Sequence, residues 1–381
     1  MDAVEPYSGF EQGPIRPPSE SDSLLIRVTR NCPWNRCTFC GLYKGEHFSR
    51  RPVDHVLRDI DTVYRYYTAL AHGARDMVTR GTVVPGLTIQ PGEEIAYYAA
   101  RNWLLAGAQS VFLQDSNSLI VNPDDLVRIL SHLRGMFPSI TRITSYARSQ
   151  TIARMDAEQL HRLAAAGLNR IHIGLESGCD QVLAYVKKGA GKQTHILAGQ
   201  KVKRAGIELS EYYMPGLGGR AWSREHALKS ADALNQINPD FIRLRTLALP
   251  GFLELAQEAE TGRFEPLGDV GIAEELLLFL EALDGITSQV KSDHILNLFE
   301  EIDGTLPQDK EAMLAVIRRF LSWDSQEQVL YQIGRRCGIF RRLDDCAEPV
   351  RRRRAQQYVT QFGANRETVD RIAAQLMQRF I

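Results

Sequence analysis

Six short apolar segments recur before residue 250, and a stretch long enough for a helix separates each from the next. Their length and their β-branched and aromatic residues predict strands. Strands that alternate with helical crossovers form a parallel sheet, because each crossover returns the chain to the same end of the sheet. The sequence therefore predicts an α/β fold with a partial (β/α)6 barrel of the TIM type. The predicted strands are residues 24–29, 110–114, 141–146, 170–175, 207–213 and 241–247.

Two parts of the chain depart from this alternation. The first two predicted strands are separated by about eighty residues, more than one helix requires. Within that stretch, residues 79–92 (TRGTVVPGLTIQPG) predict a lid-like loop between two helices. After residue 252 the strand pattern stops. The predicted organisation is an irregular segment over residues 1–21, a barrel over 22–250 and a helical region over 251–381.

Charge and composition exclude several classes of protein. Lys plus Arg and Asp plus Glu number 46 each, so no net charge attracts nucleic acid or an anionic membrane. Hydrophobic residues make up 44% of the chain, and no uninterrupted apolar run reaches the length of a membrane span. The acidic N-terminus is unlike a signal or transit peptide. Six cysteines, some of them clustered, predict a cytoplasmic protein with a metal site.

The cysteine cluster follows the first predicted strand, in the segment RNCPWNRCTFCG. Four residues separate Cys32 from Cys37, and two separate Cys37 from Cys40. This spacing is too crowded for separate disulfides and is typical of metal ligands. Three thiolates on a four-iron cluster leave one iron open, and an open coordination position is where chemistry takes place.

Polar residues also follow the later predicted strands. In parallel β/α folds, ligands bind at the carboxyl ends of the strands. The sequence therefore predicts a polar rim at that end of the sheet. Its members are Gln114, Asp115, Ser116, Asn117, Tyr146, Arg148, Ser149, Glu176, Ser177, Met214, Pro215, Gly216, Arg243 and Arg245.

The cysteine segment, the GLESG run (174–178) and the MPGLGG run (214–219) resemble the radical S-adenosylmethionine superfamily. The resemblance covers about residues 22–250. It lies nearest the branch with oxygen-independent coproporphyrinogen dehydrogenase, the tRNA elongator acetyltransferase and the methylthiotransferases. The chain departs in one respect, because most members place three residues rather than four between the first two cysteines.

The resemblance implies a 4Fe–4S cluster bound by Cys32, Cys37 and Cys40, with S-adenosylmethionine on the fourth iron. It also implies reductive cleavage to a 5′-deoxyadenosyl radical, with an electron donor of the flavodoxin or ferredoxin type. Phe39 takes the family's aromatic position against adenine. Asp115, with neighbours such as Ser116, takes the place of the motif that accepts hydrogen bonds from the ammonium group, although the Gly-Gly-Glu form is absent.

The same resemblance implies roles for residues further along the chain. Tyr146 or Arg148 would lie near the ribose of S-adenosylmethionine. Glu176 would accept a hydrogen bond from a hydroxyl group. Lys188, in the run VKKG, would pair with the carboxylate of the cofactor.

Alternatives for these residues stay open. The three cysteines could bind zinc with His47, although structural zinc sites usually form small separate modules. A ferredoxin is a weaker alternative, since ferredoxins supply four thiolates per cluster. Asp115 could simply cap its loop, and Phe39 could be a packing residue. The scattered cysteines are predicted to be ordinary thiols rather than a second cluster; they are Cys179, Cys337 and Cys346.

Arg243 and Arg245 alternate on the sixth predicted strand, so both point to one face. Inside a barrel they would suit a substrate with a carboxylate or phosphate. The alternative is a salt bridge to an interior acid such as Glu208 or Glu211. The helical pattern around His294 also allows a packed histidine. The catalytic candidates are Tyr213, Arg243, Arg245 and His294, with Tyr212 and Asn297 as further candidates.

A basic stretch near the C-terminus raises the question of RNA binding. Acids interrupt it, which favours a solvated helix face over a tRNA surface. Its arginines are Arg335, Arg336, Arg341, Arg342 and residues 351–354.

The sequence predicts a radical S-adenosylmethionine enzyme that acts on a small or mid-sized anionic metabolite, with neither nucleic acid nor membrane as a partner. One alternative is an RNA-modifying enzyme of the same superfamily. The other is a haem- or metal-handling protein that keeps the barrel without radical turnover.

Overall fold

The computed structural model describes residues 5–72 and 87–380 and is built on one mixed sheet. Eight strands follow in the order β1-β4-β5-β6-β7-β8-β9-β10, and β2 pairs with β3 in a separate antiparallel ribbon. The strands are β1 (Leu24–Arg27), β2 (Thr29–Arg30), β3 (Ser49–Arg50), β4 (Ser110–Gln114), β5 (Arg142–Ala147), β6 (Arg170–Glu176), β7 (Glu208–Tyr213), β8 (Phe241–Leu244), β9 (Gln289–Lys291) and β10 (Gly304–Thr305).

Strand direction confirms the predicted fold class. The pairs β1–β4, β4–β5, β5–β6, β7–β8 and β8–β9 are parallel, and β9–β10 is antiparallel. Each of the six predicted strands is present within a few residues of its expected bounds. The sheet has the α/β order expected of a partial (β/α)6 barrel.

Helices fill most of the remaining described residues. They are α1 (Val53–His72), α2 (Glu94–Leu105), α3 (Pro123–Met136), α4 (Ser149–Arg154), α5 (Ala157–Ala165), α6 (Asp180–Tyr185), α7 (Lys192–Arg204), α8 (Gly219–Ile237), α9 (Glu254–Glu260), α10 (Asp269–Ala282), α11 (Lys310–Leu321), α12 (Ser325–Arg336), α13 (Pro349–Phe362) and α14 (Val369–Met377). The short 3-10 helices cover Pro18–Glu20, Ser118–Ile120, Leu343–Ala347 and Gln378–Phe380.

Capping residues mark the starts of two helices in the first unit. The Asn122 side chain accepts a hydrogen bond from the backbone N–H of Asp124 at 2.9 Å, and Pro123 opens α3. Asp156 and Gln159 form a reciprocal capping box at the start of α5. Gly167 follows that helix with a φ of 110°, a conformation that glycine adopts without strain.

Packing divides the chain into two compact units. The first comprises Met1–Pro33, Gly45–Ile173 and Lys201–Leu209, and the second comprises Trp34–Lys44, Gly174–Gln200 and Ser210–Ile381. Strands β6 and β7 contribute residues to both.

Each unit has its own apolar core. In the first, the rings of Trp103 and Phe137 meet edge to face at 4.9 Å, with Tyr67 5.4 Å from each. The second buries a larger cluster, in which Phe279 of α10 stacks 4.0 Å from Tyr213 of β7. This burial provides most of the favourable free energy of folding.

One expectation about the less regular regions changes, and a second is not tested. Strands do occur after residue 252, since β9 and β10 extend the sheet beyond β8; at two or three residues each, they are too short to leave a periodic pattern. Of the predicted lid-like loop, residues 79–86 lie outside the described residues. Residues 87–92 form a loop that leads into α2.

Among the helices that the structure describes, none combines the length and the apolar character needed to span a bilayer.

Candidate active site

The cysteine segment is tied to distant parts of the second unit. The Trp34 indole N–H donates to the Lys187 carbonyl oxygen at 2.7 Å, and the Thr38 N–H donates to the Val186 carbonyl oxygen at 3.1 Å. The Thr38 carbonyl oxygen accepts the N–H of Leu255 in α9, also at 3.1 Å. The segment is therefore fixed by the residues after α6 and by the start of the helical region.

The additional residue between Cys32 and Cys37 is absorbed by a left-handed turn. Asn35 has a φ of 45°, and Asn tolerates this conformation better than most residues. Its side-chain amide donates to the Tyr43 carbonyl oxygen, and its own carbonyl oxygen accepts from Lys44 Nζ at 3.0 Å. These contacts stabilise a loop longer than the usual spacing requires.

The three thiols fit an iron–sulfur cluster by their chemistry. Cys32, Cys37 and Cys40 are each half-buried, and none is in a disulfide. Within the described residues, no three His, Cys, Asp or Glu side chains gather as a single metal ion requires. A four-iron cluster binds each thiolate on a different iron, and cysteine thiolates are the donors that hold such a cluster.

Asp115 is enclosed by protein. Its buried carboxylate accepts hydrogen bonds from Arg27 Nε at 3.2 Å and from Arg27 Nη2 at 2.9 Å. The backbone of Gly13 covers it so closely that a β-carbon there would lie 2.7 Å from Oδ2. Because Arg27 already neutralises this carboxylate, the structure favours a structural role over a contact with the cofactor's ammonium group.

The other residues after β4 and β5 shape the local backbone. Gln114 exchanges hydrogen bonds with the backbone of Gly13, at 2.8 Å and 3.0 Å. The Ser116 hydroxyl donates to the Asn31 carbonyl oxygen at 3.1 Å. Tyr146 and Arg148 are half-buried, so they stay candidates for contact with the ribose.

Glu176 and Lys188 form an ion pair in the second unit, with 2.9 Å between Oε1 and Nζ. Glu176 ends β6 with a φ of 62°, a strained conformation for a residue other than glycine and one that concentrates at functional sites. Lys188 Nζ also lies 5.9 Å from the centroid of the Phe39 ring. Three residues expected to contact S-adenosylmethionine therefore lie together.

Glu211 is a stronger candidate than the sequence indicated. It lies on β7, fully buried, and neither carboxyl oxygen has a side-chain hydrogen-bond partner among the described residues. Burial raises the pKa of Glu211 well above its ordinary value; the charge of Lys188 and the backbone N–H of Leu175 oppose the rise, and the charge of Glu176 adds to it. A buried carboxyl group with so few partners is costly, and a polar group of a bound ligand would satisfy it.

Replacing Glu211 with Gln is expected to stabilise the folded protein increasingly as the pH rises. With a raised folded-state pKa, the stability that Glu211 contributes is complete below its unfolded-state pKa and is lost as the pH rises through the folded-state value. Gln has no proton to lose. Urea denaturation of the cofactor-free protein on either side of neutral pH measures the difference, with the exposed Glu225→Gln as control. If the extra stability of Glu211→Gln over the wild-type protein shrank as the pH rose, the raised pKa of Glu211 would be contradicted.

Arg243 and Arg245 share one acid, Asp293, which follows β9. Arg245 Nη1 lies 2.7 Å from Asp293 Oδ1, and Arg243 Nη1 pairs with Oδ2. Burial works to raise the pKa of Asp293, but the two arginines outweigh it and hold that pKa below its ordinary value. The alternative of a salt bridge to an interior acid is correct in kind, but the acid is Asp293 rather than Glu208 or Glu211. Glu208 pairs with Arg170, and Glu211 takes part in no ion pair among the described residues.

His294 lies beside this cluster in a loop, which corrects the helical expectation. Burial, reinforced by the charge of Arg245, lowers the pKa of His294 to about 4. The imidazole is therefore neutral at pH 7. The guanidinium of Arg245 also lies 4.8 Å from the centroid of the Tyr212 ring. Two guanidinium groups therefore share the single carboxylate of Asp293.

Two of the candidate residues make structural contacts. Tyr213 is fully buried in the core, and its hydroxyl donates to Glu275 Oε1 at 3.2 Å, which favours a structural role over a catalytic one. Asn297 is saturated by local hydrogen bonds, since its side chain donates to the Leu244 carbonyl oxygen and accepts from the N–H of Thr246.

The basic stretch divides into buried and exposed parts. Arg335 and Arg336 are buried, and Arg336 pairs with the equally buried Asp269, so the predicted solvated face is wrong for these two. The prediction is correct for residues 351–354, which are exposed.

Two residues of the site were missed. Asp293 precedes the predicted candidate His294. It pairs with Arg243 because it follows β9, a strand too short to predict from the sequence. Glu275 accepts the N–H of Gly216 at 2.7 Å and supports the turn after β7. The signal for Glu275 is an acid on the buried face of α10, beside the apolar residues Ile272, Leu276 and Phe279.

The fold and these residues define a class of α/β enzyme that binds an iron–sulfur cofactor at the carboxyl ends of a parallel sheet. The family model described as the Radical SAM superfamily matches residues 26–231, more than half of the chain, and the chain belongs to this superfamily. This places it among enzymes whose cofactors are a 4Fe–4S cluster and S-adenosylmethionine.

A curated relative, the 4′-phospho-dehydrooxetanocin synthase of Priestia megaterium, is 25% identical over 191 residues. The match covers 49% of this chain and 22% of that protein, so the chain spans about a fifth of the relative's length.

Two solved structures are similar at low identity. The coproporphyrinogen III oxidase HemN from Escherichia coli is 14% identical, with a TM-score of 0.44 over 68% of this chain and 52% of that one. The archaeal Elp3 of Methanocaldococcus infernus is 15% identical, with a TM-score of 0.41 over 52% and 53%. Both likenesses are distant, and the family assignment rests on the sequence match alone.

Proposed function

We propose that the chain is a radical S-adenosylmethionine enzyme that abstracts hydrogen from a small or mid-sized anionic metabolite. The observation that carries the substrate class is the Arg243–Arg245–Asp293 cluster, in which two guanidinium groups share one carboxylate at the carboxyl ends of β8 and β9. A carboxylate or phosphate of the substrate would pair with these guanidinium groups. The name of the curated relative describes a phosphorylated compound, in keeping with this class.

The remaining residues supply binding and orientation. Cys32, Cys37 and Cys40 would hold the cluster. When bound and reduced, the cluster supplies the electron that cleaves S-adenosylmethionine to methionine and the 5′-deoxyadenosyl radical. Lys188 would pair with the carboxylate of S-adenosylmethionine, and Phe39 would lie against its adenine.

Two acids would complete the polar contacts. Glu176 would accept a hydrogen bond from a bound hydroxyl group. Glu211, whose pKa burial raises, would in its protonated form donate one to an oxygen of the ligand. Tyr146 or Arg148 would contact the ribose.

The reconstituted, reduced protein is expected to form 5′-deoxyadenosine, measured by mass spectrometry. A metabolite extract is then separated by anion-exchange chromatography into a retained and an unretained fraction. The retained, anionic fraction should increase the formation of 5′-deoxyadenosine. Arg245→Ala should lose about tenfold or more of the stimulation, since a charge-assisted hydrogen bond to the substrate is removed. Arg224→Ala, at an exposed position, serves as the control.

Stimulation by the unretained fraction would contradict the anionic substrate. Stimulation by purified tRNA would favour RNA modification instead. Absence of 5′-deoxyadenosine under all conditions would contradict radical turnover and favour a metal- or haem-handling protein.

A further inference from the structure

A cavity of about 540 Å³ opens in the first unit, beside the loop after β4 and beside α4. Three of its lining residues are arginines, from three positions along the chain: Arg50 ends β3, Arg148 precedes α4 and Arg154 ends that helix. None of the lining residues is acidic. The cavity therefore carries a concentrated positive charge with no acid in its walls.

Arg50 and Arg154 differ from neighbouring arginines in their partners. Arg51 pairs with Asp59, and Arg162 pairs with Asp124. In the part of the chain that the structure describes, neither Arg50 nor Arg154 takes part in an ion pair. Like charges that face one cavity repel each other, and an anion between them would remove that repulsion.

Neutral donors lie beside the arginines. Asn117 Nδ2 donates to the Thr151 hydroxyl oxygen at 2.9 Å, and Asn117 Oδ1 accepts the N–H of Arg148 at 3.0 Å. Because the Thr151 oxygen accepts from Asn117, its hydrogen is directed elsewhere, and it has no acceptor among the described residues. Asn117 thus fixes both a hydroxyl donor and the start of α4 at the wall of the cavity.

We propose that this cavity binds the phosphate group of a small molecule. Arginines from three positions, with a hydroxyl group among them, match the several acceptor oxygens of a tetrahedral phosphate dianion. A planar carboxylate can pair its two oxygens with one guanidinium group, and it then has no oxygen left for the other two arginines or the hydroxyl group. The site belongs to the first unit and does not depend on the substrate assigned to Arg243 and Arg245.

Titration calorimetry of the reconstituted protein with inorganic phosphate tests the site. Saturable binding is expected, and succinate, a dianion of equal charge, should bind at least about fivefold more weakly. The double variant Arg50→Ala/Arg154→Ala should weaken phosphate binding by about tenfold or more. The control Arg353→Ala/Arg354→Ala removes the same charge from the exposed face of α13 and should leave binding unchanged.

Protection from phenylglyoxal gives a second measurement on the wild-type protein, which is independent of how the variants fold. Phosphate should shield Arg50 and Arg154 from modification, as read by peptide mass spectrometry, and should not shield Arg353 and Arg354. The proposal is overturned if phosphate does not bind saturably, if succinate binds equally well, if both double variants weaken binding equally, or if the two arginine pairs are shielded alike.

Discussion

Replacing Cys32, Cys37 or Cys40 with alanine, one at a time, is expected to abolish the iron–sulfur cluster. Anaerobic reconstitution of the wild-type chain should give about four irons per chain and broad sulfur-to-iron charge-transfer absorbance. Each variant should lose this absorbance, because two thiolates cannot hold a cluster that three support. Iron analysis and the absorption spectrum measure the outcome, and circular dichroism checks that the fold persists.

The remaining cysteines provide the matched controls. Cys337→Ala removes a half-buried thiol and Cys179→Ala a buried one, and both variants should keep the wild-type iron content. Two irons or one zinc per wild-type chain would refute the cluster assignment. A Cys32, Cys37 or Cys40 variant that kept full absorbance would remove that residue from the ligand set.

Replacing Glu275 with alanine is expected to lower the free energy of unfolding by about 3 kcal/mol. Its buried carboxylate accepts hydrogen bonds from the N–H of Gly216 and from the Ser223 hydroxyl, each at 2.7 Å, and from Tyr213 at 3.2 Å. The alanine variant leaves a buried backbone N–H and a buried phenol without an acceptor. Urea denaturation measures the loss.

Two further variants of α10 sharpen this result. Glu274→Ala removes the adjacent, exposed glutamate and should change stability by no more than about 0.5 kcal/mol. Glu275→Gln keeps an acceptor oxygen and should lose less stability than Glu275→Ala. Equal losses in Glu274→Ala and Glu275→Ala would mean that the hydrogen bonds of Glu275 contribute nothing specific.

Local patterns in the sequence predicted most of the fold. The predicted strand over residues 110–114 is β4 without change, and Asn122 and Pro123 carry a local signal for the start of α3, because each signal lies within one element. Strands β9 and β10 were missed because so few residues carry no periodicity. The place of β9 is set by its pairing with β8, and that of β10 by its pairing with β9. The first of these is a long-range interaction.

The site was predictable to the extent that its chemistry is local. Cys32, Cys37 and Cys40 lie within one segment, so their spacing alone predicts a cluster. The partner of Asp115 is 88 residues away, at Arg27, and no local pattern records such a pairing. The same holds for Asp293, which is 50 residues from Arg243.

The hydrogen bond between Thr38 and Leu255 bears on the order in which the cofactor can be acquired. It joins the segment that carries Cys37 and Cys40 to the start of α9, beyond the predicted end of the barrel at residue 250. During synthesis the N-terminal cysteines leave the ribosome long before Leu255, so their loop lacks this anchor until the helical region has been made. Insertion of the cluster is therefore expected to follow translation of the C-terminal third, and a chain cut at residue 250 would present its ligands on an unfinished loop.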